Sequence, residues 1–497
     1  MSFNALQFSV ITSHNHIRFS PLKPYISLST TNLLVIMLIL VAFQAFLLFL
    51  LLLLPTVSSL GNISELLNVK ESIAATKLNP VSSYEYIDSD HSIGERPFGY
   101  DSIVKLRLVH RDELSMSWKD DHRARFEARM KRDVRRVASL IARLSSYKTE
   151  VVFGADQGTA EYLVRIGVGS PAVDQYMVVD TGSDLVWVQC KPCRRCYYQS
   201  DQIFDPKGSH SFSNVSCGSR VCEWVKNPSC DAGRCGYKVD YEDGSDAQGT
   251  MALETLTIGG TPVINVAIGC GHTNRGTFIG ASGVFGLGGG SMSFASQLGG
   301  AFTYCLVSRG ATSHGWLAFG SSLFPVGAAW APLLHNMRAP SLYYIGLSGL
   351  GVGGARLPIP EDTFRLTEKG HGGTIMDTGT VVTRLPTAAY EALRGAFRRR
   401  TANLPRASGV PLFDTCYDLS KFSTVRVPTV SFFFSDGPVL NLAAGNFLIP
   451  VDGRGTFCFA FAPSPKKLTI IGNIQQEGIQ ISVDASNGHI GFGPNVC

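Results

Sequence analysis

The chain has 497 residues, of which 45% are apolar and 17% charged, with 51 glycines, 24 prolines and a formal net charge of +5. The apolar fraction excludes a mainly disordered protein, and the small net charge gives no reason to expect a nucleic-acid partner. Abundant glycine and proline favour many short strands and turns over a helical bundle. From Val151 onward about 26 basic residues nearly balance about 25 acidic ones, so the positive excess belongs mostly to the N-terminal region.

The N-terminus contains a long uncharged stretch, residues 24–64, within which residues 33–54 are almost entirely apolar. A run of about 20 apolar residues can span a bilayer, whereas signal-peptide cores are usually shorter. Small residues nevertheless follow the run and suit cleavage after Ser59. We therefore predict that residues 1–59 are a cleaved signal peptide or a retained signal-anchor, with a buried core helix as the third alternative. Basic residues precede the run, which predicts that the remainder enters the secretory pathway.

Cysteines and glycosylation sequons agree with a lumenal location. Seven of the twelve cysteines lie between positions 190 and 235, so complete pairing requires at least one bridge to the later five. An iron–sulfur or zinc site is the alternative, but the spacing does not match a cluster motif, so we expect disulfides and no metal. Asn62 and Asn214 begin the two candidate glycosylation sequons. The twelve cysteines are Cys190, Cys193, Cys196, Cys217, Cys222, Cys230, Cys235, Cys270, Cys305, Cys416, Cys458 and Cys497.

A basic segment follows the apolar run and covers residues 60–155. Residues 105–112 alternate like a short strand, and residues 121–147 place apolar side chains at helical spacing among many arginines. Two interpretations are open: a solvated helix, or a removable pro-segment whose cations cover an acidic site. The segment by itself favours the solvated helix.

From residue 161 onward short β-branched and aromatic runs alternate with glycine and proline, which predicts strands at 161–169, 175–179, 184–188 and 264–268. One helix is predicted after Pro386, running to about Arg400. An internal repeat organises this part of the chain. Its two copies are Met177-Val-Val-Asp-Thr-Gly-Ser183 and Thr374-Ile-Met-Asp-Thr-Gly-Thr380, and each is followed about 100 residues later by an apolar-apolar-Gly turn. The repeat predicts a duplicated β domain with one aspartate in each half.

Two facing aspartates, Asp180 and Asp377, can carry out general acid–base chemistry. Like charges about 3 Å apart cannot both ionise, so one carboxylate stays protonated while the other takes a proton from water. The residues after each aspartate let the backbone approach and supply hydroxyl groups: Thr181, Gly182, Ser183, Thr378, Gly379 and Thr380. The alternative is a pair of purely structural turns. No phosphate-binding loop, dinucleotide fingerprint or Gly-x-Ser-x-Gly elbow occurs, so no cofactor is expected.

These motifs resemble the pepsin-like aspartic endopeptidases, specifically the cysteine-rich plant subfamily that includes nepenthesin. The resemblance covers roughly residues 161–497 and extends to a propeptide-like sequence at 108–112. It implies an all-β, bilobal acid-protease fold with the cleft between two pseudo-twofold-related lobes. The expected division is signal or anchor 1–59, propeptide 60–155, N-terminal lobe 156–335 with its cysteine-rich insertion 190–235, and C-terminal lobe 336–497. The quoted sequences are Asp180-Thr-Gly-Ser-Asp-Leu-Val-Trp-Val188, Ile203-Phe-Asp-Pro206, Gly269-Cys-Gly271, Gly286-Leu-Gly288, Tyr304-Cys-Leu306 and Ile470-Ile-Gly-Asn-Ile474.

The resemblance also implies residue roles. Asp180 and Asp377 are expected to form the catalytic dyad, and Tyr241 is expected to lie on a flap that closes over substrate. Trp187 is expected to support Tyr241, or to be a core residue, or both. The hydroxyls of Ser183 and Thr380 should bind the two aspartates, and Cys416 and Cys458 resemble the bridge of the second lobe.

The flap departs from the family pattern. Glu242 occupies a position that is usually Gly, and Asp246 adds another acidic residue. Neither change removes a catalytic group. The consequence of Glu242 for flap mobility or pH dependence stays open.

The predicted function is hydrolysis of peptide bonds near bulky apolar residues at acidic pH, with inhibition by pepstatin-type compounds. For the basic segment, the resemblance favours the second interpretation, a removable pro-segment. We expect it to be cut between about Arg143 and Glu161. We expect a monomeric plant glycoprotein that is secreted to the apoplast or held in the vacuole, or tethered through residues 33–54. The alternative is a non-catalytic binding protein on the same scaffold, like the cereal xylanase inhibitors, which usually lose part of the dyad.

Overall fold

A computed structural model describes residues 63–76, 105–111, 122–145, 162–241, 245–276, 278, 280–307 and 315–493. The predicted signal or anchor (1–59), Asn62, Glu242 and Cys497 lie outside the described residues. Within these ranges, no helix is both long and apolar enough to cross a membrane.

The basic segment contributes two strands and two helices to the fold. These are β1 (Ser64–Asn68), α1 (Val69–Ala75), β2 (Lys105–His110) and α2 (His122–Ser145). The strand predicted at 105–112 and the helix predicted at 121–147 are therefore confirmed, with slightly shorter bounds.

The remaining described residues are mostly short strands. In the first half these are β3 (Tyr162–Val168), β4 (Val173–Asp180), β5 (Trp187–Gln189), β6 (Ser213–Asn214), β7 (Ser229–Asp231), β8 (Arg234–Asp240), β9 (Asp246–Ile258), β10 (Thr261–Arg275), β11 (Gly283–Gly286), β12 (Ala301–Cys305) and β13 (Gly315–Phe319), with helices α3 (Arg220–Glu223) and α4 (Phe294–Gln297). The second half contains β14 (Ala329–Leu334), β15 (Tyr343–Ile345), β16 (Leu347–Val352), β17 (Ala355–Arg356), β18 (Thr374–Met376), β19 (Thr383–Pro386), β20 (Arg406–Ala407), β21 (Cys416–Asp418), β22 (Thr424–Pro428), β23 (Val430–Phe434), β24 (Val439–Leu442), β25 (Leu448–Pro450), β26 (Thr456–Phe459), β27 (Phe461–Ser464), β28 (Thr469–Ile471), β29 (Gln480–Asp484) and β30 (His489–Phe492), with helix α5 (Thr387–Arg400). Single 3₁₀ turns occur at Pro206–Gly208, Ser321–Leu323, Glu361–Thr363, Ala444–Asn446 and Asn473–Gln475. The architecture is the expected all-β bilobal fold, and α5 confirms the helix predicted after Pro386.

One strand begins later than its sequence predicts. The strand expected at 184–188 is β5, which starts only at Trp187. The side chain of Asp184 accepts hydrogen bonds from the Gly290 N–H at 2.9 Å and the Ser341 hydroxyl at 2.5 Å. These bonds hold the start of the predicted strand outside the strand ladder, against one loop of its own half (Gly290) and one of the other half (Ser341).

The sequence repeat is a structural duplication. In the first half, β11 lies parallel to β4 and pairs Gly286 with Asp180. In the second half, β28 lies parallel to β18 and pairs Ile471 with Met376, the residue before Asp377. Each apolar-apolar-Gly sequence found about 100 residues after an aspartate is therefore the strand that lies beside that aspartate.

Glycine is required at both of these turns because another backbone crosses them. A Cβ atom at Gly286 would lie 2.4 Å from the backbone of Asp184, four residues after Asp180. A Cβ atom at Gly472 would lie 2.6 Å from the carbonyl oxygen of Val381, four residues after Asp377. The same crossing occurs in both halves, which explains why the two motifs recur together.

A shared set of strands joins the two halves. Strand β12 pairs antiparallel with β13 on one side and β29 on the other, and β30 links β29 to β14. Strand β2 of the basic segment lies between β3 and β13 and pairs antiparallel with both. The basic segment is thus built into the sheet that connects the halves.

Five disulfides are present among the described residues, and none of the described cysteines is free. Cys190–Cys270 supplies the required bridge from the cysteine-rich cluster to a later cysteine, and Cys416–Cys458 has the pairing suggested by the resemblance. The others are Cys193–Cys196, Cys217–Cys230 and Cys222–Cys235.

The Cys416–Cys458 bridge should contribute more to stability than Cys193–Cys196, because it closes a longer loop (sequence separation 42 against 3). Replacing both Cys416 and Cys458 with serine should lower the free energy of unfolding by about 2–5 kcal/mol, and the matched Cys193/Cys196 double variant by about half as much. Denaturant unfolding of the two double variants measures the difference. Equal losses would contradict the loop-length argument.

Candidate active site

The two predicted aspartates meet where the halves join. Asp180 ends β4, and Asp377 follows β18 directly. The Asp180 carboxylate accepts hydrogen bonds from the Ser183 hydroxyl at 2.6 Å and the Gly182 N–H at 3.0 Å. The Asp377 carboxylate accepts the equivalent bonds from the Thr380 hydroxyl at 2.5 Å and the Gly379 N–H at 3.2 Å.

The threonines that follow the aspartates connect the two halves. The hydroxyls of Thr181 and Thr378 lie 3.2 Å apart, and the Thr378 N–H donates to the Thr181 hydroxyl at 3.1 Å. A matching contact of 3.5 Å joins the Thr181 N–H to the Thr378 hydroxyl. Both side chains are buried, so the two turns are fixed relative to each other by reciprocal bonds in a low-dielectric environment.

Arg136 of helix α2 lies between the carboxylates. Its Nη2 donates to Asp180 Oδ1 at 2.9 Å and to Asp377 Oδ1 at 2.8 Å, and its Nε donates to Asp377 Oδ2 at 3.0 Å. All three side chains are buried. Such charge-assisted, forked bonds are among the strongest hydrogen bonds in proteins.

The electrostatics keep Arg136 charged. Burial by itself lowers the pKa of Arg136, but the charges and hydrogen bonds of Asp180 and Asp377 reverse this effect and leave the pKa above its ordinary value. The glycines of the two motifs make room for the guanidinium, since a Cβ atom at Gly182 would lie 2.1 Å from Arg136 Nη2. The space over the carboxylates is therefore filled by a permanent cation.

A second charged residue of α2, Asp133, is bound at the same site. It accepts hydrogen bonds from the N–H groups of Val381 at 2.6 Å and Val382 at 2.9 Å, and it pairs with Arg384. Arg129, one turn earlier, donates to Asn473 Oδ1 at 2.9 Å and lies 3.7 Å from Glu477. Helix α2 is thus held by ion pairs along one face.

The apolar side chains of the same helix face contact the walls of the site. Phe126 and Met130 belong to a buried cluster with Val381, Val382 and Phe413. Val137 and Leu140, two turns further, lie in another cluster whose members include Leu342, Tyr344 and Ile470. The 3–4-residue spacing that predicted the helix is therefore the spacing of the face that fills the site.

Tyr241 and Trp187 are in contact. The indole N–H of Trp187 donates to the Tyr241 hydroxyl at 2.6 Å, and Trp187 itself is fully buried. Tyr241 follows β8, and its N–H donates to the Ser245 carbonyl at 2.7 Å, as in a hairpin between β8 and β9. Phe278 packs edge-on against both rings. The structure thus brings together the two aromatic residues that the sequence analysis linked.

Asp246 does not leave a free negative charge beside this hairpin. Its carboxylate accepts a hydrogen bond from Arg275 Nε at 2.6 Å, so the expected extra acidity is compensated by a basic neighbour. Asn214 of the second sequon is exposed in β6. Among the described residues no group of three or more His, Cys, Asp or Glu side chains could hold a metal ion.

Two features of the site were not foreseen from the sequence. The basic segment was expected to cover an acidic site, but nothing in the pattern distinguished Arg136 from its many neighbouring arginines. The bonds between Thr181 and Thr378 were not predicted either, because each Asp-Thr-Gly motif specifies its own turn and not the contact between the two turns. The sequence signal for this contact is that the two threonines occupy the same position in the two copies of the repeat.

Two aspartates from duplicated lobes, each bound by a hydroxyl and a glycine N–H, are the arrangement of an aspartic protease, and the comparisons agree. The family profiles "Xylanase inhibitor N-terminal" and "Xylanase inhibitor C-terminal" match residues 162–321 and 342–494. The chain belongs to the pepsin-like aspartic proteases, in the plant group that includes the nepenthesins. Its activity is that of an aspartic-type endopeptidase.

Individual relatives show how far the likeness extends. Protein ASPARTIC PROTEASE IN GUARD CELL 2 of Arabidopsis thaliana is 60% identical over 414 residues, which cover 80% of this chain and 88% of that protein. Aspartic proteinase nepenthesin-2 of Nepenthes gracilis is 41% identical, covering 74% of this chain and 85% of that protein. The crystal structure of edgp shares the fold at 20% identity, with a TM-score of 0.57 and coverage of 70% of this chain and 96% of that one.

Replacing Thr181 or Thr378 with the isosteric valine should remove the reciprocal bonds and leave buried polar groups unpaired. We expect each variant to lose about 1–3 kcal/mol of unfolding free energy and to lower kcat more than it changes KM, because the carboxylates lose their mutual alignment. Thr469→Val is the matched control, since the buried Thr469 hydroxyl has no hydrogen-bond partner in the described part of the chain. A loss in the control as large as in the other variants would contradict this role.

Proposed function

We propose that this endopeptidase is made as an inactive precursor in which helix α2 occupies the cleft, and that Asp180 and Asp377 are its catalytic dyad. The observation that carries the proposal is the contact of Arg136 with both carboxylates at 2.8–3.0 Å. A cation that contacts both aspartates indicates that the two carboxylates face the same space and are accessible to a group between them. In the mature enzyme that position is taken by water and substrate.

Once Arg136 has left, the dyad can retain only one negative charge. One carboxylate then takes a proton from a water molecule, while the protonated one donates its proton to the oxygen of the peptide carbonyl. The water oxygen forms a bond to the carbonyl carbon and gives a tetrahedral diol. As the C–N bond breaks, the aspartate that took the water proton donates it to the amide nitrogen, and the other aspartate takes a proton from a hydroxyl of the diol, which becomes the carbonyl of the new carboxyl group. The dyad is thus restored without a covalent enzyme intermediate.

The residues around the dyad support this chemistry by position. The hydroxyls of Ser183 and Thr380 each occupy one carboxylate oxygen and leave the inner oxygens, which now bind Arg136, for water and the shared proton. We assign to Tyr241 the role of flap residue and to Trp187 the role of holding its hydroxyl. Trp187 is at the same time part of the core, since it is fully buried.

The side chains of α2 suggest the substrate. Phe126, Met130, Val137 and Leu140 pack against apolar residues of the second half of the chain, next to Asp377. When α2 leaves, these walls become available to a peptide with bulky apolar side chains. Protein or peptide substrates of this kind, and peptide-like inhibitors such as pepstatin, fit such a cleft.

Acid is the expected trigger of activation. Arg136 remains charged at every relevant pH, so protonation of the carboxylates it binds removes the attraction that holds α2 in the cleft. We propose cleavage between about Arg143 and Glu161, which would separate the 60–155 pro-segment from lobes at 156–335 and 336–497. We also propose that residues 1–59 are a signal peptide or a signal-anchor. The protein is then a glycosylated monomer that is secreted or stored in the vacuole.

The second candidate function is a binding protein without catalysis. The descriptions of the two matching family profiles favour it, since both name xylanase inhibitors. The intact pair of aspartates, each with its hydroxyl and glycine N–H, argues against it. Digestion of a peptide library at acidic pH, with and without pepstatin, distinguishes the two: an enzyme gives pepstatin-sensitive cleavage after or before bulky apolar residues, and a binding protein gives none.

Asp180→Asn and Asp377→Asn should each abolish cleavage, with a loss of at least about 10³-fold in kcat, because an amide can neither take nor share the proton. Both variants should stay folded, since asparagine keeps the size of the side chain. Peptide hydrolysis and circular dichroism of the purified variants provide the check. Activity retained in either variant would refute the dyad assignment.

Arg136→Ala should weaken the hold of α2 on the cleft and speed activation of the uncut precursor on acidification by at least about tenfold, because three charge-assisted bonds are lost. Arg135→Ala is the matched control, on the same helix turn but not bonded to either aspartate. Peptide hydrolysis and intact mass are followed together after a drop in pH. Equal activation rates in both variants would contradict the blocking role.

A further inference from the structure

A separate part of the basic segment is bound to the second half of the chain. We call residues Ser64–Thr76, which comprise β1 and α1, the N-terminal clasp. Strand β1 pairs antiparallel with β22 along its whole length, from Ser64 opposite Pro428 to Asn68 opposite Thr424. The clasp makes no hydrogen bond to either catalytic aspartate among the described contacts, unlike α2.

The clasp is attached by burial and backbone bonds. Leu67 and Val69 are almost fully buried and belong to the same hydrophobic cluster as Val425 and Val427 of β22. By contrast, Leu66 is 57% exposed, as expected for the opposite face of the strand.

The junction between β1 and α1 is also specified. Asn68 caps α1 by accepting the Glu71 N–H at 3.1 Å, and the Val69 N–H donates to the Ser423 carbonyl at 2.9 Å. The contact is therefore continuous from the strand into the helix.

Strand β22 depends on this contact. In the part of the chain that the structure describes, β1 and β22 form a two-stranded sheet, and β22 has no other strand neighbour. Loss of the clasp would uncover the unpaired backbone groups of five residues together with the buried faces of Val425 and Val427. An exposed edge of this kind tends to pair with another chain.

The clasp and α2 should respond differently to acid. Helix α2 is held by ion pairs that involve Arg136, Asp133 and Arg129. Each pair contains one carboxylate, and protonation of that carboxylate removes the attraction. No ion pair between the clasp and the rest of the chain occurs among the described residues. The clasp is held by buried apolar side chains and by backbone hydrogen bonds, neither of which is broken by acid, so we expect it to stay in place.

The charged groups around the clasp do not change this conclusion. Burial raises the pKa of Glu65, so protonation on acidification favours the docked form and not the released one. Arg426 of β22 lies opposite Leu66, and Lys70 and Glu71 belong to α1. Arg125 of α2 donates to the Thr76 carbonyl, a neutral acceptor, at 2.9 Å.

We propose that the fragment containing the N-terminal clasp stays bound to β22 after the pro-segment is cut and α2 has left the cleft, so that the mature enzyme is a non-covalent complex of two chains. This inference rests on the proposed function only because it assumes that the pro-segment is cut. The segment that covers the edge of β22 is then the clasp of the same chain, which stays bound there.

The test makes the cut independently of the protein's own activity. Recognition sequences for a site-specific protease are placed between Thr76 and Lys105 and between Tyr147 and Glu161 of the full chain carrying Asp180→Asn, which cannot cut itself. The first cut separates the clasp from β2, which pairs with β3 and β13, and from α2. After cleavage, the protein is passed over a sizing column at an acidic pH at which hydrogen exchange shows that the amides of α2 have lost protection. Mass spectrometry should find the clasp fragment with the large chain at one copy each; a large chain that elutes without the fragment overturns the proposal.

Two variants locate the attachment. Val69→Lys places a charge that persists at acidic pH in a fully buried site and should reduce the retained fragment by at least about tenfold, whereas Leu66→Lys on the exposed face should retain it fully. Equal retention, or equal loss, in the two variants overturns the proposal.

Hydrogen exchange on the cut parent protein gives the same answer if Val69→Lys fails to fold. The amides of Thr424–Val427 should stay protected at the acidic pH at which those of α2 lose protection. Rapid exchange across Thr424–Val427 overturns the proposal even if the fragment is retained, because the fragment would then be held elsewhere.

Discussion

The structure depends on bringing two carboxylates of like charge together in a buried position. Asp180 and Asp377 are both almost inaccessible to solvent, and both contact one cation, Arg136. Isolated charges of this kind are costly to bury, so each must be paired, protonated or solvated. In this structure the guanidinium satisfies the requirement. In the mature enzyme that we propose, a shared proton and a water molecule take the place of the guanidinium.

The duplicated fold fixes the positions of the two aspartates relative to each other without a covalent link between them. Each aspartate ends a strand beside a parallel partner, and each turn is crossed by backbone at a glycine, Gly286 or Gly472. Thr181 and Thr378 then fix the two turns to each other across the boundary between the halves. Because both halves contribute the same turn, one carboxylate cannot move without disturbing the bonds of the other.

Much of this could be predicted from the sequence, for physical reasons. The Asp-Thr-Gly repeat and the later glycine turns encode local backbone geometry, so they predicted the duplicated β fold and the residues that meet. The contact between Trp187 and Tyr241 followed from the family resemblance. Contacts that depend on one side chain among many similar ones could not be predicted. A helix rich in arginine gives no indication that Arg136 faces the dyad, since its neighbours have the same charge and propensity.

Tertiary contacts also determine two features that the local sequence did not predict. Asp184 was expected to begin a strand, but hydrogen bonds from Gly290 and Ser341 remove it from the ladder. The pairing of β1 with β22 had no sequence signal, because a five-residue strand after a long apolar run has no periodicity of its own. Both cases are non-local pairings, and the pattern of a single segment does not contain its partner.

In the proposed precursor, Arg136 and substrate compete for the same two carboxylates. Calorimetric titration of the uncut precursor with pepstatin at successively lower pH tests this competition most directly. Competition predicts no binding near neutral pH, where the guanidinium holds both aspartates, and binding that appears as acid releases α2. Tight binding of pepstatin to the uncut chain at neutral pH would contradict it.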